Sequence, residues 1–250
     1  KELPSNPKVV ENYDLLAADY AANRRVHPVV LARLLEAIAG LQAKTVVDVG
    51  CGTGNYAVAA QEAVGPAGGR VVGVEPSYGM LAYAEARGIR ACQGRAEAIP
   101  LAEATVDLLF SVDVVHHIRA VPAYFAEARR VLRQGGLFCT VTDSEQIIAT
   151  RQPLSAYWPE TIAGERERYH PIPTLKQRLQ TAGFYDVCDE DVEFSYLLQD
   201  AEPYRRRAYS ALQRIDDEAW QRGLVRLEAD LQRSPIPCTA RYTLVWAKSG

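Results

Sequence analysis

Residues 46–56 read VVDVGCGTGNY, an apolar, β-branched run that passes into three glycines at alternate positions. This pattern predicts a strand that ends in a tight turn, followed by the start of a helix. Gly50, Gly52 and Gly54 are explained if a ligand approaches the backbone here, because a Cβ atom would block it. The first turn of the helix then offers free N–H groups to a negatively charged part of that ligand.

The alternation of strand and helix continues along the first 145 residues. Apolar strands are predicted near 45–50, 70–75, 89–92, 106–112 and 137–141, and helices at 55–64, 77–87 and 122–133. The last of these helices is expected to stop at Gly135 and Gly136. Strands that alternate with helices of about ten to fifteen residues indicate a parallel sheet, and apolar strands indicate that both of its faces are covered. We therefore predict an α/β fold with a Rossmann-like, doubly wound sheet.

A carboxylate accompanies the glycine loop. Glu75 ends the next predicted strand, 25 residues after Gly50, and neighbouring strands of a doubly wound sheet end side by side at one edge. A carboxylate at that position can accept hydrogen bonds from both hydroxyls of a ribose, so we predict a cofactor that contains a nucleoside. The dinucleotide fingerprint GxGxxG requires a glycine where this chain has Asn55, which disfavours an NAD-linked oxidoreductase.

Five motifs, in this order, resemble those of the class I S-adenosylmethionine-dependent methyltransferases. They are VDVGCGTG at 47–54, GVEPSYGM at 73–80, GRAEAIP at 94–100, VDLLFS at 106–111 and RVLRQGG at 130–136. Within that family the chain looks most like the small-molecule branch typified by methyltransferases of ubiquinone and menaquinone biosynthesis. The resemblance implies a seven-stranded sheet with an antiparallel last strand. It also implies S-adenosyl-L-methionine as cofactor, S-adenosyl-L-homocysteine as product and a small-molecule methyl acceptor at O, S, N or C.

The resemblance also assigns cofactor-binding residues. The glycine loop would hold the amino-acid end of the cofactor, Glu75 the ribose hydroxyls and Met80 the adenine ring. The full implied set is Asp48, Gly50, Cys51, Gly52, Gly54, Glu75, Pro76, Met80, Ala96, Glu97, Ser111 and Tyr20. One position departs from the family pattern, because relatives usually carry an acidic residue where this chain has Arg95. An arginine cannot accept a hydrogen bond from the adenine amine.

The residues after the fourth strand are the candidates for chemistry. His116 and Asp113 are predicted to be catalytic, since a histidine near neutrality can take a proton from a hydroxyl, a thiol or a carbon acid. The alternative is a histidine that only packs the strand–helix junction. Substrate contacts are predicted for Tyr13, His117, Tyr157 and Trp158. The aromatic residues near 157–170 favour a planar or apolar acceptor, and no metal site is expected, because a third ligand at suitable spacing is missing.

The remainder of the chain is expected to complete one domain. A helix near 174–182, a strand near 186–196, a helical pair over 201–232 and a last strand over 239–247 are predicted. Residues 197–235 are interpreted as a helical lid, inserted before the last strand and too short to build its own core. The single domain 1–250 would then consist of N-terminal cap helices in 1–40, a cofactor-binding core in 41–144 and a substrate-side half in 145–250.

Composition limits the partners. The chain has 250 residues, of which 48% are hydrophobic and 24% charged, and a net charge of −3, which disfavours a protein that coats nucleic acid. The run Arg205–Arg207 is interpreted as a solvated helix face. Isolated cysteines, and the absence of a long apolar run or a signal segment, favour a cytoplasmic protein without a membrane partner. An RNA- or protein-modifying methyltransferase and a non-catalytic S-adenosylmethionine-binding protein remain alternatives, and the acceptor and the oligomeric state stay open.

Overall fold

The computed structural model describes residues 14, 17, 18, 20, 21 and 25–250, and within this part of the chain a seven-stranded sheet organises the molecule. Its strands are β1 (Thr45–Val49), β2 (Arg70–Glu75), β3 (Arg90–Gln93), β4 (Val106–Val112), β5 (Leu132–Thr142), β6 (Phe184–Leu198) and β7 (Ile236–Ser249). The strand order is β3-β2-β1-β4-β5-β7-β6. Neighbouring strands are parallel except that β7 runs antiparallel to both β5 and β6. The predicted α/β fold with an antiparallel last strand is confirmed.

Helices cover both faces of the sheet. They are α1 (Pro28–Leu41), α2 (Asn55–Val64), α3 (Tyr78–Ala86), α4 (Val121–Val131), α5 (Glu145–Thr150), α6 (Leu154–Tyr157), α7 (Thr161–Arg168), α8 (Ile172–Thr181), α9 (Glu202–Arg205), α10 (Ser210–Gln213) and α11 (Asp217–Arg233). Phe125 of α4 and Leu175 of α8 are buried on one face, and Leu34 of α1 and Ala57 of α2 on the other. Burial on both sides explains why every residue of β1 is inaccessible. None of the helices described here is long and apolar enough to cross a membrane.

The order of the strands reverses between β1 and β4. β1 pairs with β2 on one side and with β4 on the other, and both neighbours run parallel to it. In an open α/β sheet, such a reversal leaves a crevice at the carboxyl ends of the strands, where ligands bind. Gly50 follows β1 and Asp113 follows β4, so both stand at this edge. The fold thereby brings the glycine loop and the residues predicted to be catalytic to one place.

The turn between α4 and β5 differs from the predicted one. The pair Gly135–Gly136 was expected to end a helix at 133, but α4 ends at Val131 and Leu132 already pairs with Val106. The register then shifts, so that Leu108 pairs with Leu137 and the residues between bulge out of the strand. Gly135 adopts a φ of +74°, a conformation that glycine takes without strain. The glycines therefore form a bulge within β5 rather than a helix stop.

The helical lid has more core than the sequence suggested. Instead of a helical pair, residues 197–235 hold two single-turn helices, α9 and α10, and the long α11. These pack with α6 around a separate set of buried residues, the lid cluster: Leu154, Trp158, Ala201, Tyr204, Leu212, Leu224 and Leu227. Residues 197–235 do not build this core alone, because Leu154 and Trp158 lie outside the segment.

Candidate active site at the carboxyl edge of the sheet

The glycine loop folds over the end of β1 in a conformation that other residues rarely adopt. Gly50, Gly52 and Gly54 have φ angles of +72°, +53° and +83°. A Cβ atom on Gly50 would lie 2.4 Å from a methyl group of Val114, and one on Gly54 would lie 3.2 Å from the Cβ of Ala84. A Cβ atom on Gly52 would meet none of the residues that the structure describes within 4 Å. The loop therefore leaves a space beside Gly52, the cradle, in which a ligand can lie against the backbone.

Glu75 borders this cradle at the end of β2. Its Oε2 accepts a hydrogen bond from the Gly52 amide and its Oε1 accepts one from the Ser77 amide, both at 3.0 Å. Burial raises the pKa of the Glu75 carboxyl, although the two amide donors oppose that rise. A carboxylate has about four lone-pair sites. The two amides fix its position while leaving acceptor capacity for ligand hydroxyls.

A second carboxyl lies beneath the loop. Asp48 is buried in β1, and its burial, together with the nearby charge of Glu75, raises the pKa of its carboxyl to about 8. The buried hydroxyl of Thr53 has no hydrogen-bond partner among the described residues, and such atoms usually find one in water or a ligand. These acidic side chains suit a polar, cationic group, since Asp48, which is mostly protonated at neutral pH, can ionise when positive charge approaches.

The residues predicted to hold the adenine lie in the segments that follow β2 and β3. Met80 is buried in the first turn of α3, and Ala96 is buried in the loop after β3. Pro76 is exposed. Glu97 is half-buried, and the Nε of Arg95 lies 3.7 Å from its Oε2. The side chain of Arg95, where the chain departs from the family pattern, is 68% exposed and projects into solvent.

Some predicted cofactor residues have their side chains engaged elsewhere. Ser111 is fully buried and its hydroxyl donates to the Thr140 hydroxyl at 3.0 Å inside the sheet. The Cys51 thiol is packed against Gly73, where a Cβ atom would lie 2.6 Å from its sulfur. Burial raises the pKa of this thiol. Both side chains therefore have packing contacts, and their contact with the cofactor stays a prediction; the backbone of Cys51 forms part of the loop.

The N-terminal residues of the predicted set are described only in part. Asp14, Ala17, Ala18, Tyr20 and Ala21 are helical, and Tyr20 is half-buried. The predicted substrate contact at position 13 lies outside the described residues.

Asp113 stands at the end of β4 in a left-handed conformation, with φ +58°, that is uncommon for a residue with a side chain. Its amide donates to the Val141 carbonyl at 3.0 Å, and its Oδ2 accepts from the Tyr242 hydroxyl at 2.8 Å. The ring of Tyr242 in turn meets His27 edge-to-face, with 5.4 Å between ring centroids. Asp113 is therefore oriented by β5 and β7. The role of Tyr242 was missed, because 129 residues separate it from Asp113.

His116 lies in the short 3-10 turn Val115–His117. Its ring stacks on Tyr169 with 4.0 Å between centroids and approaches the exposed His117 at 4.1 Å. Burial lowers the pKa of His116 well below its ordinary value, and neighbouring positive charges add to the effect. Its Nδ1 is buried without a hydrogen-bond partner among the described residues. His116 is therefore neutral at physiological pH.

A buried ionic cluster next to Tyr169 escaped the sequence analysis. Arg151 pairs with Asp143 and, at 3.1 Å, with Glu165, while Arg168 lies 3.2 Å from the same Glu165. The guanidinium carbons of Arg151 and Arg168 lie 5.6 and 5.3 Å from the centre of the Tyr169 ring. Burial raises the pKa of Asp143 to about 7, although Arg151 opposes that rise. The available signal was the polar stretch at 145–171, which interrupts the strand–helix rhythm.

The aromatic residues of the lid have structural contacts. Trp158 is fully buried, stacks on Tyr204 with 5.5 Å between ring centroids, and donates from Nε1 to the Trp220 carbonyl at 2.9 Å. The Tyr157 hydroxyl donates to Asp230 at 2.8 Å. The lid cluster covers the ring of Trp158 and the Trp220 carbonyl accepts from its N–H group, so its predicted substrate contact stays a prediction without support from its exposure. The polar end of Tyr157 is likewise engaged within the lid.

The three consecutive arginines carry local partners. The pairs are Arg205 with Glu228, Arg206 with Glu202 and Arg207 with Asp217. Arg207 also lies over the ring of Trp220, with its guanidinium carbon 4.4 Å from the ring centre. The run therefore does not form a bare cationic surface of the kind that binds nucleic acid.

Known proteins share this arrangement. A family model described as a methyltransferase domain matches residues 47–140. The chain is 30% identical over 200 residues to the malonyl-[acyl-carrier protein] O-methyltransferase of Geobacter sulfurreducens, and the match covers 70% of each protein. It is 27% identical over 171 residues to the demethylmenaquinone methyltransferase of Lactococcus lactis, covering 62% of this chain and 66% of that relative.

A solved structure supports the fold. Phosphoethanolamine N-methyltransferase 2 of Haemonchus contortus, in complex with S-adenosyl-L-methionine, matches with a TM-score of 0.55 at 16% identity, covering 98% of this chain and 61% of that one. The family model spans the segment from β1 to β5, which carries the glycine loop, Glu75 and Asp113. The 30% identity to the Geobacter sulfurreducens relative, over 70% of each protein, shows the family: the chain belongs to the S-adenosylmethionine-dependent methyltransferases.

Proposed function

We propose that this protein transfers a methyl group from S-adenosylmethionine to a small-molecule acceptor at the carboxyl edge of its sheet. The observation that carries the proposal is the open cradle beside Gly52, bounded by the fixed carboxylate of Glu75. When bound, the cofactor supplies an electrophilic methyl group on a positively charged sulfur. Glu75 disfavours the pyrophosphate of NAD, and Asp48, which is mostly protonated at neutral pH, ionises when the positive charge of the cofactor approaches.

The residues around the cradle would divide the binding of the cofactor. Glu75 accepts hydrogen bonds from the ribose hydroxyls, and the backbone of the glycine loop lies against the amino-acid end. Met80 offers a polarizable thioether to the adenine ring. Arg95 takes no part in this scheme, and the adenine amine instead bonds to Glu97 or to backbone carbonyls.

His116 and Asp113 are proposed to act on the acceptor. Methyl transfer depends chiefly on alignment and on the exclusion of water. Neutral His116 takes the proton of a hydroxyl, thiol or carbon acid while the methyl carbon bonds to the acceptor atom, and the electron pair of the broken carbon–sulfur bond stays on sulfur. Asp113, held by Tyr242, orients the acceptor.

The surroundings of His116 favour a polar acceptor over the apolar one expected from the lid aromatics. Trp158 packs inside the lid cluster, whereas Tyr169, which stacks on His116, lies beside the ions of Arg151 and Arg168. The two relatives described above are named for a malonyl-[acyl-carrier protein] and for demethylmenaquinone. These two compounds are therefore the first acceptors to assay, and the polar one is expected to react faster.

Calorimetric titration of S-adenosylmethionine and of NADH into the wild type and into Glu75→Gln tests the proposal. S-adenosylmethionine should bind and NADH should not. Glu75→Gln should weaken binding at least tenfold, because hydrogen bonds to a charged group contribute about 1.5–3 kcal/mol each. The control Glu62→Gln changes an exposed carboxylate on α2 and should leave the affinity unchanged. Preference for NADH, or equal affinity of the two variants, contradicts the proposal.

A further inference from the structure

Asp14 contacts the segment between Glu75, which ends β2, and the first turn of α3. The sequence pattern gives no sign of this contact. The Oδ1 of Asp14 accepts a hydrogen bond from the Ser77 hydroxyl at 2.6 Å and another from the Gly79 amide at 2.7 Å. These two donors, Ser77 above all, hold the pKa of the Asp14 carboxyl below its ordinary value. The group is therefore ionised at neutral pH, in contact with the first turn of α3.

A steric observation supports the same contact. A Cβ atom on Gly79 would lie 2.9 Å from both the Cα and the carbonyl oxygen of Asp14. Any side chain at position 79 would therefore push Asp14 away. The Gly79 amide is also one of the helix-start amides that have no partner within their own helix, and Asp14 provides that partner.

Ser77 links Asp14 to the ribose-binding carboxylate. The Ser77 hydroxyl donates to Asp14 and accepts from the Met80 amide at 3.2 Å, which fixes its rotamer. The Ser77 amide donates to Oε1 of Glu75, whose Oε2 accepts from Gly52. A continuous chain of hydrogen bonds thus runs from Asp14 to the glycine loop.

We propose that Asp14 is a positioning residue for the cofactor: by fixing Ser77 it holds the Glu75 carboxylate in the orientation that receives the ribose. The inference rests on the proposed function, which assigns the ribose to Glu75. Asp14 acts through its neighbours and need not touch the cofactor.

The first test is the affinity for S-adenosylmethionine, measured by calorimetry. Asp14→Ala should weaken binding about tenfold, because Ser77 loses the acceptor that fixes it and the Glu75 carboxylate is then less well oriented. Asp14→Asn should lose less, because its amide oxygen still accepts from Ser77 and Gly79. The control Glu85→Gln changes an exposed carboxylate on the same helix, α3, and should bind like the wild type.

A double-mutant cycle separates positioning from a general structural effect. If Asp14 acts through Glu75, then Asp14→Ala should cost almost nothing further in the Glu75→Gln background. Additive losses, or wild-type affinity in Asp14→Ala, overturn the inference. A wild-type protein that fails to bind S-adenosylmethionine at all overturns the proposed function as well.

Hydrogen exchange in the ligand-free protein tests the contact itself. The Gly79 amide should be protected in the wild type and should exchange faster in Asp14→Ala, with the interior amides of α3 unchanged. Equal exchange at Gly79 in both proteins overturns the inference irrespective of any cofactor.

Discussion

The Asp48 carboxyl is expected to lose its proton when S-adenosylmethionine binds. Its pKa of about 8, raised by burial in β1 and by the charge of Glu75, leaves it about 90% protonated at pH 7 in the ligand-free protein. The sulfonium and ammonium groups of the cofactor favour the ionised carboxylate and lower this pKa. Binding at pH 7 should therefore release up to about 0.9 proton per molecule of cofactor.

The sign of the pH dependence follows directly. The ligand-free protein holds a proton that the complex does not, so the affinity should rise with pH and level off once the pH passes about 8. Between the two pKa values, each pH unit should change the dissociation constant by up to about tenfold. A dependence of the opposite sign would mean that Asp48 gains a proton in the complex.

Calorimetry at pH 7 in two buffers of different ionisation enthalpy measures this release. The observed binding enthalpies should differ by the number of protons released multiplied by the difference in buffer enthalpy. Asp48→Asn resembles the protonated carboxyl in shape and should abolish the difference while still folding. A wild-type enthalpy that is independent of buffer, or the same release in Asp48→Asn, would refute the reasoning.

Two glycine substitutions test the packing of the folded chain: Gly52→Ala is compared with Gly68→Ala, and Gly223→Ala with Gly164→Ala. Gly52→Ala and Gly68→Ala should each cost about 1–2 kcal/mol of unfolding free energy through left-handed strain. Only Gly52→Ala should also weaken S-adenosylmethionine binding at least tenfold, and calorimetry on both proteins checks this. Gly223→Ala places a Cβ atom 2.1 Å from the indole nitrogen of Trp158. It should therefore lower the free energy of unfolding by about 1–3 kcal/mol and the melting temperature by several degrees. Gly164 lies on α7, where a Cβ atom meets none of the described residues within 4 Å, so Gly164→Ala should raise the free energy of unfolding by up to about 1 kcal/mol. Equal effects of Gly223→Ala and Gly164→Ala in thermal melts would contradict the assigned packing.

The cofactor side could be predicted from the sequence because its signals are local. Gly50, Gly52 and Gly54 lie within five residues, and Glu75 is placed by the end of the next strand. In a parallel sheet these strand ends must meet at one edge. The same reasoning placed Ser111 on β4, but it could not show that its side chain bonds to Thr140 inside the sheet.

The acceptor side depended on contacts that no short pattern contains. Trp158 reads as a pocket aromatic in the sequence, yet the helices of the lid enclose it in a core of their own. Arg151 pairs with Asp143 and Glu165 because β5, α5 and α7 fold against one another. The sequence pattern around a charged residue is the same whether or not the folded chain places a partner beside it. Its ion pairs are therefore visible only in the tertiary structure.

By itself, the sequence determined the α/β class, the glycine loop and the cofactor family, since backbone conformation and strand periodicity are encoded in neighbouring residues. Only the tertiary structure decided that Tyr242 orients Asp113, that Asp14 bonds to Ser77 and that Tyr169 stacks on His116. Each of these contacts joins segments far apart in the chain. The first follows from the order of strands in the sheet, because β7, which carries Tyr242, inserts antiparallel between β5 and β6.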